Sequence, residues 1–214
     1  MTQNNADPLR ARLKQSRRDM PVADRQRGSL LLRARLHSWL ATTRTACLEA
    51  NRTPPTVVAG FWPLADEPDL TELYRQWHDS GIVVALPVMQ TGQQRLIFKP
   101  WHPQARMHQA EFGVQEPAQG DAVLPDVILV PTLGYTTDGD RLGYGKGFYD
   151  RTLAHLTSLN CRPTTIGVAW DNANLHELDP GYRPATHDQR LNAIITPSDW
   201  HPLAPDYQSS SASA

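Results

Sequence analysis

The residues best placed to do chemistry lie in VPTLGYTTDGDRLGYGKGFYDRTLAHL, residues 130–156. Gly143, Gly145 and Gly147 alternate, so the backbone there can take positive φ values and approach an anion closely, while Lys146 sets a point charge among them. An apolar run ending at Pro131, a turn-rich loop, and apolar positions at Phe148, Leu153 and Leu156 read as strand, glycine loop and helix. That succession presents backbone N–H groups and a helix N-terminus to phosphate. The pattern is not Walker A, because Gly147 follows Lys146 where Ser or Thr is required, and not GxGxxG, because the third glycine comes one residue early. Glycines at a strand-to-helix corner can also serve only a tight turn; the density of Arg141, Tyr144, Lys146, Tyr149 and Asp150 beside them favours an anion site. Asp150 falls in the first helical turn, where the dipole alone favours an acid, and beside a phosphate loop it becomes a candidate magnesium ligand.

The elements that must hold this loop follow from the apolar pattern. Residues 8–50 are rich in Arg, Leu, Ala and Gln, and Pro21 divides them into two consecutive helices. TVVAGF (56–61) reads as a strand, DLTELYRQWHD (69–79) as a helix with Leu70, Leu73, Tyr74 and Trp77 on one face, and IVVALPV (82–88) as a second strand. RLIFK (95–99), DVILVP (126–131), TTIGVAW (164–170) and NAIITP (192–197) add further strands, several continuously apolar as in sheets covered on both faces. The expected class is α/β with a mainly parallel sheet. Residues 99–125 carry prolines and glycines without a period and predict a long surface excursion. The polar end, APDYQSSSASA, predicts a frayed tail.

Composition narrows the functional classes. A chain of 214 residues, 40% hydrophobic, fits one globular domain with a sizeable core. A net charge of −1 provides no broad basic field for nucleic acid or an anionic membrane. The arginines crowd into the first fifth of the chain, where a solvated helix face is the plainest reading. Cys47 and Cys161 have no paired spacing, which argues against disulfides and structural zinc and suits a reducing cytosol. His102, His108, His176 and His187 have no metal-site spacing. The polar start and the lack of an apolar run near the roughly 20 residues of a membrane span predict a soluble, cytoplasmic protein.

RLGYGKGFYDR (141–151) resembles the signature of the 5-formyltetrahydrofolate cyclo-ligases. The resemblance extends to GFWPLADEPDL (60–70), ALPVM (85–89), LIFKPW (96–101), FGVQEP (112–117), IGVAWD (166–171) and ATHDQRLNAIIT (185–196), and so takes in residues 9–196. It implies a single-domain, three-layer Rossmann-like fold with a mainly parallel sheet, related in shape to sugar-phosphate isomerases and CoA transferases and preceded by N-terminal helices. The domain is expected over residues 1–200 and a flexible tail over 201–214. The implied reaction uses Mg-ATP to close 5-formyltetrahydrofolate into 5,10-methenyltetrahydrofolate through a phosphorylated formyl group, releasing ADP and phosphate. A monomer acting on a folate that can carry a polyglutamate tail is expected.

Residue by residue, the resemblance implies that Arg141, Leu142, Gly143, Tyr144, Gly145, Lys146, Gly147, Phe148 and Tyr149 wrap the ATP phosphates, with Lys146 and Tyr149 catalytic. Residues 144–148 would also touch the folate's reacting end, joined by Trp62 and Glu67 in the folate pocket. Asp150 and Asp188 match the magnesium positions, and Arg10, with Lys14 one turn on, matches an ATP-binding basic position. Two departures stand out: Ala6 occupies a position where lysine is often found, and Tyr144 one where some relatives carry a basic residue. Asp66, Glu67 and Asp69 have a competing role, biasing a helix that starts at Pro68, and Asp188 could be an ordinary turn aspartate. Acceptor identity is less constrained than phosphate chemistry, so another formylated or carboxylated amine remains an alternative substrate, and a non-catalytic folate-binding or regulatory family member an alternative function.

Overall fold

The computed structural model describes residues 6–208 apart from 91 and 187, so His187 and the chain end from 209 lie outside the described residues. Helices α1 (Ala6–Asp19) and α2 (Val22–Glu49) part at Pro21, which stands in an extended conformation as the N-cap of α2. In α2, Gly28, Leu32, Leu36, Trp39, Leu40 and Cys47 turn inward at helical spacing. Strand β1 (Val57–Ala59), helix α3 (Thr71–Asp79) and strand β2 (Val83–Gln90) form the expected β-α-β unit. α3 starts at Thr71 rather than Pro68, because the Asp69 carboxylate accepts the Thr71 N–H at 2.9 Å and its hydroxyl at 2.7 Å.

β3 (Arg95–Trp101) follows as a hairpin partner of β2. The excursion of residues 99–125 is more ordered than its composition implied: β4 (Met107–Gln109) pairs with β5 (Gln115–Pro117), and Val123 bonds back to Phe98. β6 (Val127–Pro131) re-enters the centre of the sheet, then a small hairpin of β7 (Gly134–Tyr135) and β8 (Arg141–Leu142) leads to α4 (Phe148–Ser158). β9 (Thr164–Val168), α5 (Leu175–Leu178), β10 (Ala193–Ile195) and β11 (Trp200–His201) complete the order.

The main sheet runs β11-β10-β9-β6-β1-β2-β3, parallel throughout its centre and antiparallel only at the edge strands β3 and β11. Alternation along β6 shows why its apolar run is continuous. Val127 and Leu129 join Leu32, Leu36, Leu73 and Trp77 beneath α2 and α3, while Ile128 and Val130 join Leu9, Leu13, Leu153 and Leu156 beneath α1 and α4. Three layers result, as expected. The tail expected from residue 201 is instead held through Tyr207, whose ring is buried, while the Trp39 indole donates to the Pro205 carbonyl at 3.0 Å and Arg52 to that of Tyr207 at 3.1 Å. Among the described residues, no helix is long and apolar enough to cross a membrane.

From β1 the chain winds outward to β2 and β3, then returns to β6 on the other side of β1 and winds outward to β9 and β10. The carboxyl ends of β1 and β6 therefore flank a reversal of strand order, where a crevice opens for ligands in sheets of this kind.

Candidate active site

The glycine loop leaves β8 and enters α4 at that crevice. Gly145 (φ 90°) and Gly147 (φ 66°) lie in the left-handed region, and Gly147 is the N-cap of α4. A Cβ on Gly147 would meet only the movable end of the Arg151 side chain, at 2.7 Å, so it is the left-handed conformation that calls for glycine. Arg151 braces the loop by donating to the carbonyls of Lys146 at 2.7 Å and Gln94 at 2.8 Å.

Helix α1 forms the opposite wall. Leu9 and Leu13 anchor it in the core, which turns Arg10 and Lys14 to the cavity; Arg10 Nε donates to the Gly143 carbonyl at 3.0 Å, and Lys14 Nζ lies 5.4 Å from the centre of the Tyr144 ring. The segment after β1 supplies Trp62, 6.3 Å from Trp101 between ring centres, and Glu67, only 7% exposed. Glu67 accepts the Leu64 N–H at 2.9 Å and the Tyr144 hydroxyl at 2.5 Å. Burial pushes the Glu67 carboxyl above its usual range, against the opposing pull of those hydrogen bonds and Arg17. Burial, and the nearby Glu67 charge, push the Tyr144 and Tyr149 hydroxyls up as well.

Every site residue expected from the sequence lines one cavity of about 970 Å³: Arg10 and Lys14, Trp62 and Glu67, residues 141–150, and Asp188, with Ala6 at its rim. Its size reaches the upper end of the usual range for small-molecule pockets. A groove of about 890 Å³, lined by Arg12, Asp24, Arg27 and Trp170, draws on a different face of α1 and gathers none of these residues.

The acids have definite partners. Asp150 Oδ1 pairs with Arg141 at 2.7 Å and accepts the Gln189 N–H at 3.0 Å, while Asp188 Oδ2 accepts the Ala185 N–H at 2.8 Å. The bond to Gln189 ties the start of α4 to the segment carrying Asp188. Among the described residues no group of three or more His, Cys, Asp or Glu could hold a metal. Two carboxylates lining one cavity nevertheless fit magnesium, which keeps several waters and binds through one or two carboxylates plus substrate phosphates.

Some lining residues were not among the expected site residues, although Val114 and Glu116 lie in the FGVQEP segment that carries the resemblance. Glu111, Val114 and Glu116 arrive on the excursion, where the buried Glu116 accepts the Met89 N–H at 3.1 Å; Tyr182 and Arg183 come from the segment after α5. Arg17 corrects the solvated-face reading of the N-terminal arginines, being 2% exposed and bonded to the site's own residues. Three buried polar atoms without partners stand in or against this cavity: Arg17 Nε, Arg141 Nε and the Tyr149 hydroxyl.

Comparison with known proteins places this arrangement. The model of the 5-formyltetrahydrofolate cyclo-ligase family matches residues 2–197. The chain is 31% identical over 210 residues to the 5-formyltetrahydrofolate cyclo-ligase of Mycolicibacterium smegmatis, covering 92% of this chain and 96% of that protein. It is 33% identical over 156 residues to that of Escherichia coli, covering 68% and 82%. The NMR structure of Aquifex aeolicus 5,10-methenyltetrahydrofolate synthetase shares the fold, with a TM-score of 0.72 at 23% identity over 98% of this chain and 96% of that one. Since the family model spans nearly the whole chain, including the glycine loop and both walls of the cavity, this protein belongs to the 5-formyltetrahydrofolate cyclo-ligase family.

Proposed function

We propose that the protein uses Mg-ATP to cyclise 5-formyltetrahydrofolate to 5,10-methenyltetrahydrofolate, with release of ADP and phosphate, as a cytoplasmic monomer. The observation that carries this reading is the convergence on one cavity of a cation-bearing glycine loop, a basic helix face, two carboxylates and a buried acid beside a tryptophan.

A formamide oxygen is a poor leaving group. Transfer of the γ-phosphoryl to that oxygen makes the formyl carbon electrophilic; the 10-nitrogen attacks it, loses its proton, and phosphate departs with the formyl oxygen. Catalysis is then mostly positioning and neutralisation of charge. Residues 141–149 cradle the phosphates, Lys146 stabilises charge on the group in transit, and Arg10 and Lys14 close on the nucleotide from α1. Asp150 and Asp188 would hold magnesium, which supplies neutralisation of the phosphate oxygens when bound. Glu67 accepts hydrogen bonds from the pterin amino and ring N–H groups, with Trp62 packed alongside. Residues 144–148 meet both ligands and so bring donor and acceptor together.

Appearance of the methenyl chromophore from 5-formyltetrahydrofolate in the presence of ATP and magnesium tests the reaction; absence of the chromophore would overturn it. Lys146→Ala is expected to lower kcat by about a hundredfold, as loss of a contact to transition-state charge does, with thermal stability unchanged.

A further inference from the structure

Arg17 makes a chain of contacts that the cyclisation reading leaves unused. One terminal nitrogen donates to the Tyr144 hydroxyl at 2.8 Å, and the other to the Thr132 carbonyl, just past β6, at 2.5 Å. The same guanidinium stands 3.9 Å from the Glu67 carboxylate. A guanidinium can only donate, so the Tyr144 oxygen must accept from Arg17, which turns its own proton toward Glu67. The direction of the chain is thereby set: Arg17 to Tyr144 at 2.8 Å, then Tyr144 to Glu67 at 2.5 Å. It joins three separate pieces of the fold, namely α1, the glycine loop and the segment after β1.

Arg17 is buried with Nε lacking a partner, an arrangement that costs stability relative to an apolar side chain of similar length. What offsets that cost is the set of groups it holds in place. Resting on the role of Glu67 in folate binding proposed above, we infer that Arg17 is a positioning residue: through the Tyr144 hydroxyl it orients the Glu67 carboxylate and ties the glycine loop to it, so that one buried guanidinium aligns the folate and phosphate ends of the cavity.

The groups that face Glu67 are Arg17 from α1, Tyr144 from the glycine loop, Tyr149 from α4, Tyr74 from α3 and Asp66 from its own segment. Arg17 is the cation among them. Burial holds all three tyrosines un-ionised near neutral pH, so Arg17 supplies the full positive charge that favours the Glu67 anion, beside the hydrogen bonds from Leu64 and Tyr144.

The test is a titration of 5-formyltetrahydrofolate without nucleotide, together with steady-state turnover, for the wild type, Arg17→Met, Tyr144→Phe and the double variant. Each single substitution is expected to weaken folate binding about tenfold, the size of one lost hydrogen bond to a charged group. The double variant is expected to be no weaker than the weaker single, because the two residues act as one unit. kcat should fall alongside folate affinity, because the glycine loop loses its tie to Glu67. Loss of Arg17 should shift the pH profile of folate binding to higher pH, because its charge favours the Glu67 anion.

Single variants that bind like the wild type, losses that multiply in the double variant, or a pH profile of folate binding that Arg17→Met leaves unshifted would each overturn the inference. Tyr144→Phe removes one oxygen and keeps the ring, so it decides the matter even if Arg17→Met does not fold. Folate binding by the wild type without turnover would sink the cyclisation reading alone, leaving this inference to the titrations. No folate binding by the wild type would sink both.

Discussion

Desolvation gives Glu67 a higher proton affinity in the folded protein than its ordinary value of 4.5, outweighing the help its anion receives from Leu64, Tyr144 and Arg17. The folded state therefore binds this proton more tightly than the unfolded chain, and the associated stability is lost as pH rises from about 4.5 through the raised folded value. Glu67→Gln removes that titration. The difference in Tm between the variant and the wild type should accordingly move in the variant's favour as pH increases through that window, whatever fixed offset the substitution brings. Thermal melts across pH check it, and a constant difference would show a carboxyl of ordinary affinity. At this scale the legible residues were those with local signatures. Gly145, Lys146 and Asp150 stood out through their crowding with Arg141, Tyr144 and Tyr149 in one turn-rich stretch before a helix. Arg17 did not, since it is one arginine among many, and what draws it inward is Thr132 and Tyr144, 115 and 127 residues further on.

The carboxyl end of β1 sets how closely α3 can approach the sheet. Gly60 donates its N–H to the Ala85 carbonyl at 2.8 Å, and a Cβ added there would sit 2.4 Å from the Tyr74 ring, whose hydroxyl bonds to both the N–H and the carbonyl of Phe61 at 3.1 Å. Gly60→Ala is expected to cost about 1–3 kcal/mol by overpacking, read from urea denaturation, and to weaken folate binding because Trp62 and Glu67 follow directly in the chain. Central strands were readable in the sequence because burial on both faces leaves a continuous apolar run, as in β6. The hairpin of β4 and β5 was not: its exposed residues lack a period, and its order comes from pairing with each other and from packing beside β2 and β3. Likewise, nothing local told that β3 and β11 would close the sheet edges in the opposite direction.

Across the whole molecule, the segment after β11 seals the layer formed by α2. Tyr207 is 6% exposed and joins the cluster containing Leu36, Trp39 and Leu40. Tyr207→Ala should cost about 3 kcal/mol in chemical denaturation while leaving folate affinity unchanged, because the residue serves the face of the sheet away from the α1 wall. The polar composition of the last stretch hid this, since a single aromatic ring is enough to pin it.

The bond from Arg10 to Gly143 joins positions 133 apart along the chain. A nascent polypeptide therefore displays the basic wall of the cleft long before the loop it faces has been synthesised, and Asp188 emerges later still. Such a cleft gains its ligand affinity only near the end of folding, so nucleotide and folate can stabilise the finished protein but cannot template its early steps. Added ligand should accordingly slow unfolding and leave the refolding rate nearly untouched.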